Sequence, residues 1–475
     1  MSEAKYISTR GRAPALGFED VLLTGLARDG GLYVPETWPQ FSTTDLTAMK
    51  GLDYPALALR VMTPFVGAAI PPDDLKKIID GAYATFDAPD VLPLKKLGGN
   101  EYLLELFRGP TLAFKDVAMQ VLGRFFDYVL SKRGQRITIV GATSGDTGSA
   151  AIEACRDKDA IDIFMMHPKG RVSLVQEAQM TSVMAANVHN IAIEGTFDDC
   201  QDRVKDLFND EAFRDAQNLS AVNSINWARV MAQIVYYFWA ALKLGAPEKP
   251  VSFSVPTGNF GNVFAGYGAK QMGLPIEKLV VGSNSNDILA RFFQTGSMEM
   301  TDVVPTLSPS MDIQVSSNFE RLLFDLVGRD GDQCAKVLTW FRKTGRFDVT
   351  ADQLARARAV FSGARFDNDE TKVIIGQVFE VTGEMIDPHT AVGVGAARAA
   401  GGGDAPMVIL ATAHPAKFPD AVMAATGERP ALPARMADLL DRPRRCQTLA
   451  DDLDQLKRHI EQTLAYRKPS EGDMG

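Results

Sequence analysis

From about residue 136 the chain alternates short β-branched runs with longer segments of helical period, which is the pattern of a parallel sheet covered by helices. Strands are predicted at Ile137–Val140, Ile161–Met166, Val188–Ile193, Val251–Val255, Leu279–Gly282 and Met407–Leu410. Each is followed by a polar or glycine-rich turn and then a helical pattern, so the fold class is α/β and doubly wound. Three stretches break the rhythm. Residues 1–97 read as a separate N-terminal unit of short helices. Residues 297–318 form a long proline-broken segment, of the kind that serves as a lid or an insertion in a compact enzyme. From Thr448 to Tyr466, Leu449, Leu453, Leu456, Ile460 and Leu464 recur at helical spacing and predict one helix docked on the body.

A chain of 475 residues with 46% apolar content buries large cores and has the length of two or three domains. Its formal charge of -9, with no basic block, disfavours a nucleic-acid partner, so any small anion must be held by local groups. Cys155, Cys200, Cys334 and Cys446 are far apart, and the five histidines are scattered; no metal site is expected. The N-terminus is polar from the start, and the longest apolar stretch, around Val235 to Leu242, is far short of the roughly 20 residues that span a bilayer. These features predict a cytoplasmic protein with no membrane partner.

Lys115 lies in GPTLAFKDVAMQ, after a Gly109-Pro110 turn and an apolar run, where a helical pattern begins with Val117, Val121, Phe125 and Val129 on one stripe. Apolar surroundings and the positive end of a helix dipole both disfavour an ammonium, and a neutral amine is what attacks an aldehyde. Local context leaves a second reading open, a lysine snorkelling to the surface beside a core segment.

Two glycine loops follow predicted strands. In Gly258-Asn259-Phe260-Gly261-Asn262, closely spaced glycines at a helix start let backbone N–H groups converge on one phosphate. The order fits neither a nucleoside-triphosphate loop nor a dinucleotide site, and a tight turn without a ligand is the alternative. In GATSGDTGSA, Thr143, Ser144 and Thr147 add hydroxyls to a helix start, which suits a carboxylate. Thr412, at the carboxyl end of the strand before HPAKF, lies where ligands of open α/β sheets bind. A hydroxyl there would leave a pyridine nitrogen largely unprotonated. His414 and Lys417 compete for attention, and Lys417 is expected in a more exposed loop.

With these residues in hand, the chain resembles the threonine synthases of the longer bacterial and fungal type. The resemblance runs through YISTRG, DGGLYVPE, GPTLAFKD, SGDTG, PKGRVSLVQEAQM, EGTFDDCQ, NSINWARV, PTGNFGN, DPHTAVG and ATAHPAKF, in this order. It implies a fold type II pyridoxal-phosphate enzyme with two doubly wound parallel-sheet domains and an additional N-terminal domain. The corresponding boundaries are 1–97, 98–222 with the lysine and the SGDTG loop, and 223–475 with the phosphate loop and a helical insertion. The implied reaction converts O-phospho-L-homoserine and water into L-threonine and phosphate.

Under that resemblance Lys115 is the Schiff-base lysine and proton shuttle. Gly258, Asn259, Phe260, Gly261 and Asn262 cradle the cofactor phosphate, and Thr412 partners the pyridine nitrogen. Asp146 stands where the wider fold type often has Asn. Asn262 stands where Asp is common, and either residue can cap the following helix. For the substrate phosphate the first candidate is Arg229, with Asn226 beside it, followed by Lys169 and Arg171. Each of these cations also reads as a solvated or helix-end charge. Rival readings are a related dehydratase, sulfhydrylase or phospho-lyase releasing a 2-oxo acid, and a binding homologue without catalysis. A monomer and a homodimer are both compatible with the sequence.

Overall fold

All six strands expected from the β-branched runs form, at Ile137–Ala142, Ile161–Pro168, Val188–Glu194, Val251–Pro256, Ile276–Ser283 and Met407–Ala411. The computed structural model describes residues 4–401 and 403–467; the first three residues, part of the polar opening segment, lie outside the described residues. The chain divides into two compact units, Met1–Val121 with Asn223–Ala431, and Leu122–Val222 with Leu432–Gly475. The division therefore falls inside the helix Lys115–Arg133 and does not follow the consecutive blocks read from the sequence.

The first unit holds a six-stranded sheet in the order Phe361–Arg365, Ile276–Ser283, Val251–Pro256, Met407–Ala411, Glu101–Glu105, Leu94–Gly98. Every pairing is parallel except the last, an antiparallel hairpin across the boundary expected at residue 97. That hairpin escapes the hydrophobic pattern because its edge strand carries Lys95 and Lys96, a common way of blunting a sheet edge. Helix Pro388–Ala399 lies on this sheet, placing Ala391, Val394 and Ala397 in a core with Leu103, Ile375 and Ile409.

The second unit holds a five-stranded sheet in the order Gln447–Ala450, Val188–Glu194, Ile161–Pro168, Ile137–Ala142, Leu219–Ser220, parallel throughout. Its first strand corrects the expectation of a single helix from Thr448. Leu449 belongs to the strand, and the helix is Leu453–Arg467. The break comes at Asp452, whose carboxylate accepts from the N–H of Gln455 at 2.7 Å. Leu456 and Ile460 then pack with Phe164, Ile191 and Leu207. Among the described residues no helix is long and apolar enough to cross a membrane; the Val235–Leu242 stretch lies in the helix Trp227–Lys243.

The N-terminal segment contains the expected helices, the longer two being Tyr54–Val66 and Pro72–Tyr83, together with an antiparallel pair of Tyr6–Ser8 and Tyr33–Pro35. Asp29 explains why YISTRG and DGGLYVPE belong together. One carboxylate oxygen accepts from Ser8 Oγ at 2.7 Å and Gly31 N–H at 2.9 Å, and the other from Arg12 and Ala13 N–H at 2.9 and 2.8 Å. Beside it Arg10 grips Glu320 through two bonds of 3.1 Å, and Thr9 Oγ1 donates to the same carboxylate at 2.6 Å.

Burial alone would raise the Asp29 pKa, but the bonds from Gly31, Ser8, Arg12 and Ala13 outweigh it and hold the carboxyl below its ordinary value. A carboxyl depressed in the folded state contributes stability above its unfolded pKa and loses it as pH falls through the folded value. Asp29→Asn should therefore lower unfolding free energy by about 1–2 kcal/mol at neutral pH. Urea melts at a series of pH values should show the wild-type advantage shrinking below about pH 4.

Candidate active site

Parallel pairing brings the carboxyl ends of Val251–Pro256, Met407–Ala411 and Glu101–Glu105 to one edge of the six-stranded sheet, and the candidate residues of the first unit follow directly from them. After Glu105 the chain keeps to the neighbouring strand: Leu106 N–H donates to Ala411 O at 3.0 Å. After the Gly109 turn it returns, with Phe114 N–H to Thr412 O at 2.8 Å and His414 N–H to Leu112 O at 3.0 Å. Lys115 and Thr412 are thus held close by backbone bonds.

The turn before Lys115 is clasped from both sides. Asp116, fully buried, accepts from Thr111 N–H and Oγ1, each at 2.7 Å. Lys417 donates from Nζ to Thr111 O at 2.8 Å and has no exposed surface. This corrects the expectation that Lys417 lies in an exposed loop: the Pro415–Lys417 turn directs its side chain inward, onto the turn that carries Lys115. Lys115 is the first residue of its helix, and it is buried, with Nζ 5.9 Å from the centroid of the Phe114 ring.

Thr412 is buried, and its N–H donates to Thr390 Oγ1 at 3.3 Å. Thr390 in turn donates its hydroxyl to Asp387, which caps the helix Pro388–Ala399. The other Asp387 oxygen lies 2.7 Å from Nδ1 of His389, whose Nε2 accepts from Ser310 N–H at 3.3 Å. The DPHT motif therefore supports Thr412 on one side and the long 300–318 segment on the other.

That segment lies against the Gly258–Asn262 loop. A Cβ on Gly258 would lie 2.8 Å from Ser310 O and 3.2 Å from Met311 Cα, so only glycine permits the approach. Ser316 Oγ donates to Gly258 O at 2.7 Å, and Asn318 donates to Asn259 O from its backbone at 3.1 Å and from Nδ2 at 3.0 Å. In a trans peptide the N–H points opposite to the C=O. Pulling these two carbonyls back turns the N–H groups of Asn259 and Phe260 the other way, as an anion cup at a helix start requires.

Phe260 adopts φ 62° as the residue before the helix Gly261–Gln271. Asn262 lies inside that helix and does not cap it, which corrects the capping expectation. Its Oδ1 accepts from the hydroxyls of Tyr236 and Tyr237, while Nδ2 is buried without a partner. Ser316, Asn318, Thr390 and Asp387 were not singled out from the sequence. Of these only Asp387 and Thr390 left a signal, as part of DPHTAVG.

Arg229 lies in the first turn of the helix Trp227–Lys243. It is 4% exposed, and its Nε and Nη1 have no hydrogen-bond partner. Burial pushes its pKa down to about 10. Asn226 caps this helix through Oδ1 to Ala228 N–H at 3.0 Å and donates from Nδ2 to Leu22 O at 2.8 Å, so both ends of its amide are engaged.

In the second unit the SGDTG loop joins Ile137–Ala142 to the helix Asp146–Cys155. Thr143 Oγ1 accepts from Gly145 and Gly148 N–H, both at 2.9 Å, so this hydroxyl shapes the loop from inside. Ser144 is exposed and Thr147 is half-buried. Asp146 is buried, and its Oδ1 accepts from Gln176 Nε2 at 2.8 Å. Gln176, in PKGRVSLVQEAQM, packs so tightly on Gly145 that a Cβ there would meet it at 2.4 Å. Lys169 pairs with Glu194 at 2.9 Å with about half of each side chain exposed, and Arg171 is exposed.

Comparison with protein families matches residues 5–83 to the threonine synthase N terminus, 89–339 to the pyridoxal-phosphate dependent enzymes, and 390–460 to the C-terminal part of threonine synthase. The threonine synthase of Pseudomonas aeruginosa is 55% identical over 467 residues, covering 98% of this chain and all of that one. Among solved structures, the pyridoxal-phosphate-bound threonine synthase from Brucella melitensis superposes with a TM-score of 0.96. It has 55% identity over 97% of this chain and 99% of that one. The threonine synthase from yeast follows with a TM-score of 0.94 and 40% identity over the same shares. The two-sheet α/β architecture is that of fold type II.

The contact between Gly258 and the 300–318 segment is directly testable. Gly258→Ala forces Ser310 and Met311 outward and should cost about 1–3 kcal/mol of unfolding free energy. A melting curve indistinguishable from wild type would mean that the segment does not lie against the loop.

Proposed function

The chain belongs to the threonine synthase family, and on that premise we propose that it converts O-phospho-L-homoserine and water into L-threonine and inorganic phosphate, with Lys115 as its catalytic amine. The observation that carries the assignment is the clasp between the Lys115 turn and the Thr412 strand, closed by Phe114 N–H on Thr412 O. It supports one ring-sized ligand facing a buried lysine and a buried hydroxyl together.

The cofactor is pyridoxal 5'-phosphate. The residues present fit it: carbonyls drawn back from the Gly258–Asn262 loop, a glycine where a Cβ would collide, and an orphaned Nδ2 on Asn262. In this reading Gly258, Asn259, Phe260, Gly261 and Asn262 hold its phosphate and Thr412 faces its pyridine nitrogen. When bound, it supplies an electron-withdrawing ring that acidifies the carbons of the substrate's chain.

The chain's own groups then bind and move protons. Lys115 Nζ, as a neutral amine beside the substrate, would take the α-proton and return protons along the carbon skeleton. Loss of phosphate from the γ-carbon would require a proton taken from the β-carbon, and addition of water's hydroxyl at the β-carbon would require one returned to the γ-carbon; Lys115 Nζ would carry both. Ser144 and Thr147 are the hydroxyls open to the substrate carboxylate, with Thr143, Asp146 and Gln176 fixing the loop that presents them. Arg229 takes the substrate phosphate: a buried guanidinium with two unsatisfied N–H groups is costly until an anion arrives. Asn226 positions Arg229 by capping its helix, and Lys169, paired with Glu194, is the weaker candidate. The four unpaired cysteines suit a cytoplasmic setting.

Purified protein given O-phosphohomoserine should release threonine and phosphate in equal amounts; 2-oxobutyrate in place of threonine would move the assignment to a phospho-lyase. Borohydride followed by peptide mapping should leave the pyridoxyl label on Lys115, and a label on Lys417 would refute the lysine assignment. Arg229→Ala should lower kcat/KM for O-phosphohomoserine by at least about tenfold, a change equal to about 1.4 kcal/mol. Unchanged kinetics would remove Arg229 from the phosphate site.

A further inference from the structure

Arg321 has no exposed surface, and all three of its hydrogen bonds go to oxygens of neutral groups. Nε donates to Tyr33 O at 3.0 Å, Nη2 to Ile225 O at 2.6 Å, and Nη1 to Oδ1 of Asn318. The guanidinium carbon lies 5.7 Å from the centroid of the Trp227 ring. Glu320, the adjacent acid, is bound to Thr9 and Arg10. Burial pushes the Arg321 pKa down to about 9, with Glu320 opposing. A cation kept so deep without a carboxylate in its hydrogen-bond set is costly, and fold stability alone would be served as well by apolar packing. Its geometry indicates what it does instead.

The key is the direction of the Asn318 amide. An asparagine side chain has one accepting and one donating end, and Nη1 of Arg321 can only donate. It therefore fixes Oδ1 toward itself and turns Nδ2 the other way, onto Asn259 O at 3.0 Å and Ser224 O at 3.2 Å. Asn259 O also receives the Asn318 backbone N–H at 3.1 Å. With its carbonyl held twice, the 259–260 peptide cannot rotate without losing two bonds, and its N–H stays turned toward the cup.

We infer that Arg321 is a positioning residue for the phosphate cup: by orienting Asn318 it locks the 259–260 peptide with its N–H facing the anion, and so sets how strongly the protein distinguishes a phosphorylated cofactor from its unphosphorylated form. The inference rests on the cofactor reading above and deepens it. The same guanidinium joins three segments, Tyr33, Ile225 and Asn318, so the cup is set by the N-terminal strand and the NSINWARV turn as well as by its own loop.

The test compares two ligands that differ only in the phosphate. Apoenzyme prepared from the holoenzyme is titrated with pyridoxal 5'-phosphate and with pyridoxal, following tryptophan fluorescence, for wild type, Arg321→Lys and Asn318→Asp. Lysine cannot satisfy three acceptors in the plane of a guanidinium. Aspartate keeps an acceptor for Arg321 but sets an oxygen against the carbonyls of Asn259 and Ser224. Each variant should raise the dissociation constant for pyridoxal phosphate at least about tenfold, while that for pyridoxal changes less than about twofold.

Equal weakening of both ligands would mean general disruption and would overturn the inference, as would an unchanged ratio in both variants. The ratio keeps the test decisive even where a variant melts earlier than wild type. If the wild-type protein itself showed no preference for the phosphorylated form, the cofactor reading would fall, and this inference with it; preference in wild type with an unchanged ratio in the variants defeats the Arg321 role alone.

Discussion

Parallel pairing of neighbouring strands is the constraint on which the first unit depends. Because Val251–Pro256, Met407–Ala411 and Glu101–Glu105 run the same way, the chain must leave all three at the same edge. Turns far apart in sequence then share a few backbone hydrogen bonds. The Lys115 turn and the Thr412 strand end are one such pair, joined at both Phe114 and His414. No side chain has to find its partner across solvent, and precision in the site is inherited from the sheet.

A second layer of order comes from the long segment after residue 300, which has little regular structure and is nonetheless heavily bonded. Asp312 accepts from Asn284 and Asn286 Nδ2 at 2.8 and 3.0 Å and from Thr306 N–H at 2.8 Å, and Asn286 Nδ2 also reaches Val304 O at 2.8 Å. Side-chain amides and a carboxylate here do what a ladder does in a strand. The backbone so fixed brings Ser316 and Asn318 to the carbonyls of the glycine loop, while His389 receives Ser310 from the sheet side. A proline-broken stretch of this kind is therefore part of the site's support, and its irregularity is what lets it follow the loop closely.

The central strands were legible because each is a run of β-branched residues ending in glycine or a polar turn, and such runs need burial on both faces. Edge strands were not. Leu94–Gly98 hides behind two lysines, Phe361–Arg365 has no β-branched residue, and Gln447–Ala450 continued the leucine spacing of the next helix until Asp452 broke it. In the candidate site, Lys115, the glycines and Thr412 could be proposed from the sequence because their types are tied to particular chemistry. Asn318 and Ser316 could not, since amides and hydroxyls serve anywhere and acquire meaning only from the carbonyl they face. Lys417 was misjudged for a related reason: the proline before it suggested a surface loop, whereas a short turn sends the side chain inward to Thr111.

The strand Gln447–Ala450 joins its sheet beside Val188–Glu194, although the whole stretch from Asn223 to Ala431 belongs to the other unit. Protein synthesis runs from the N-terminus, so Val188–Glu194 leaves the ribosome long before the strand that covers it. Until then its flank presents unpaired N–H and C=O groups, a template for any other extended chain nearby. The order of synthesis thus leaves the seven-residue Val188–Glu194 as the edge of the nascent sheet until the four-residue strand Gln447–Ala450 takes that place, and a shorter edge offers less template.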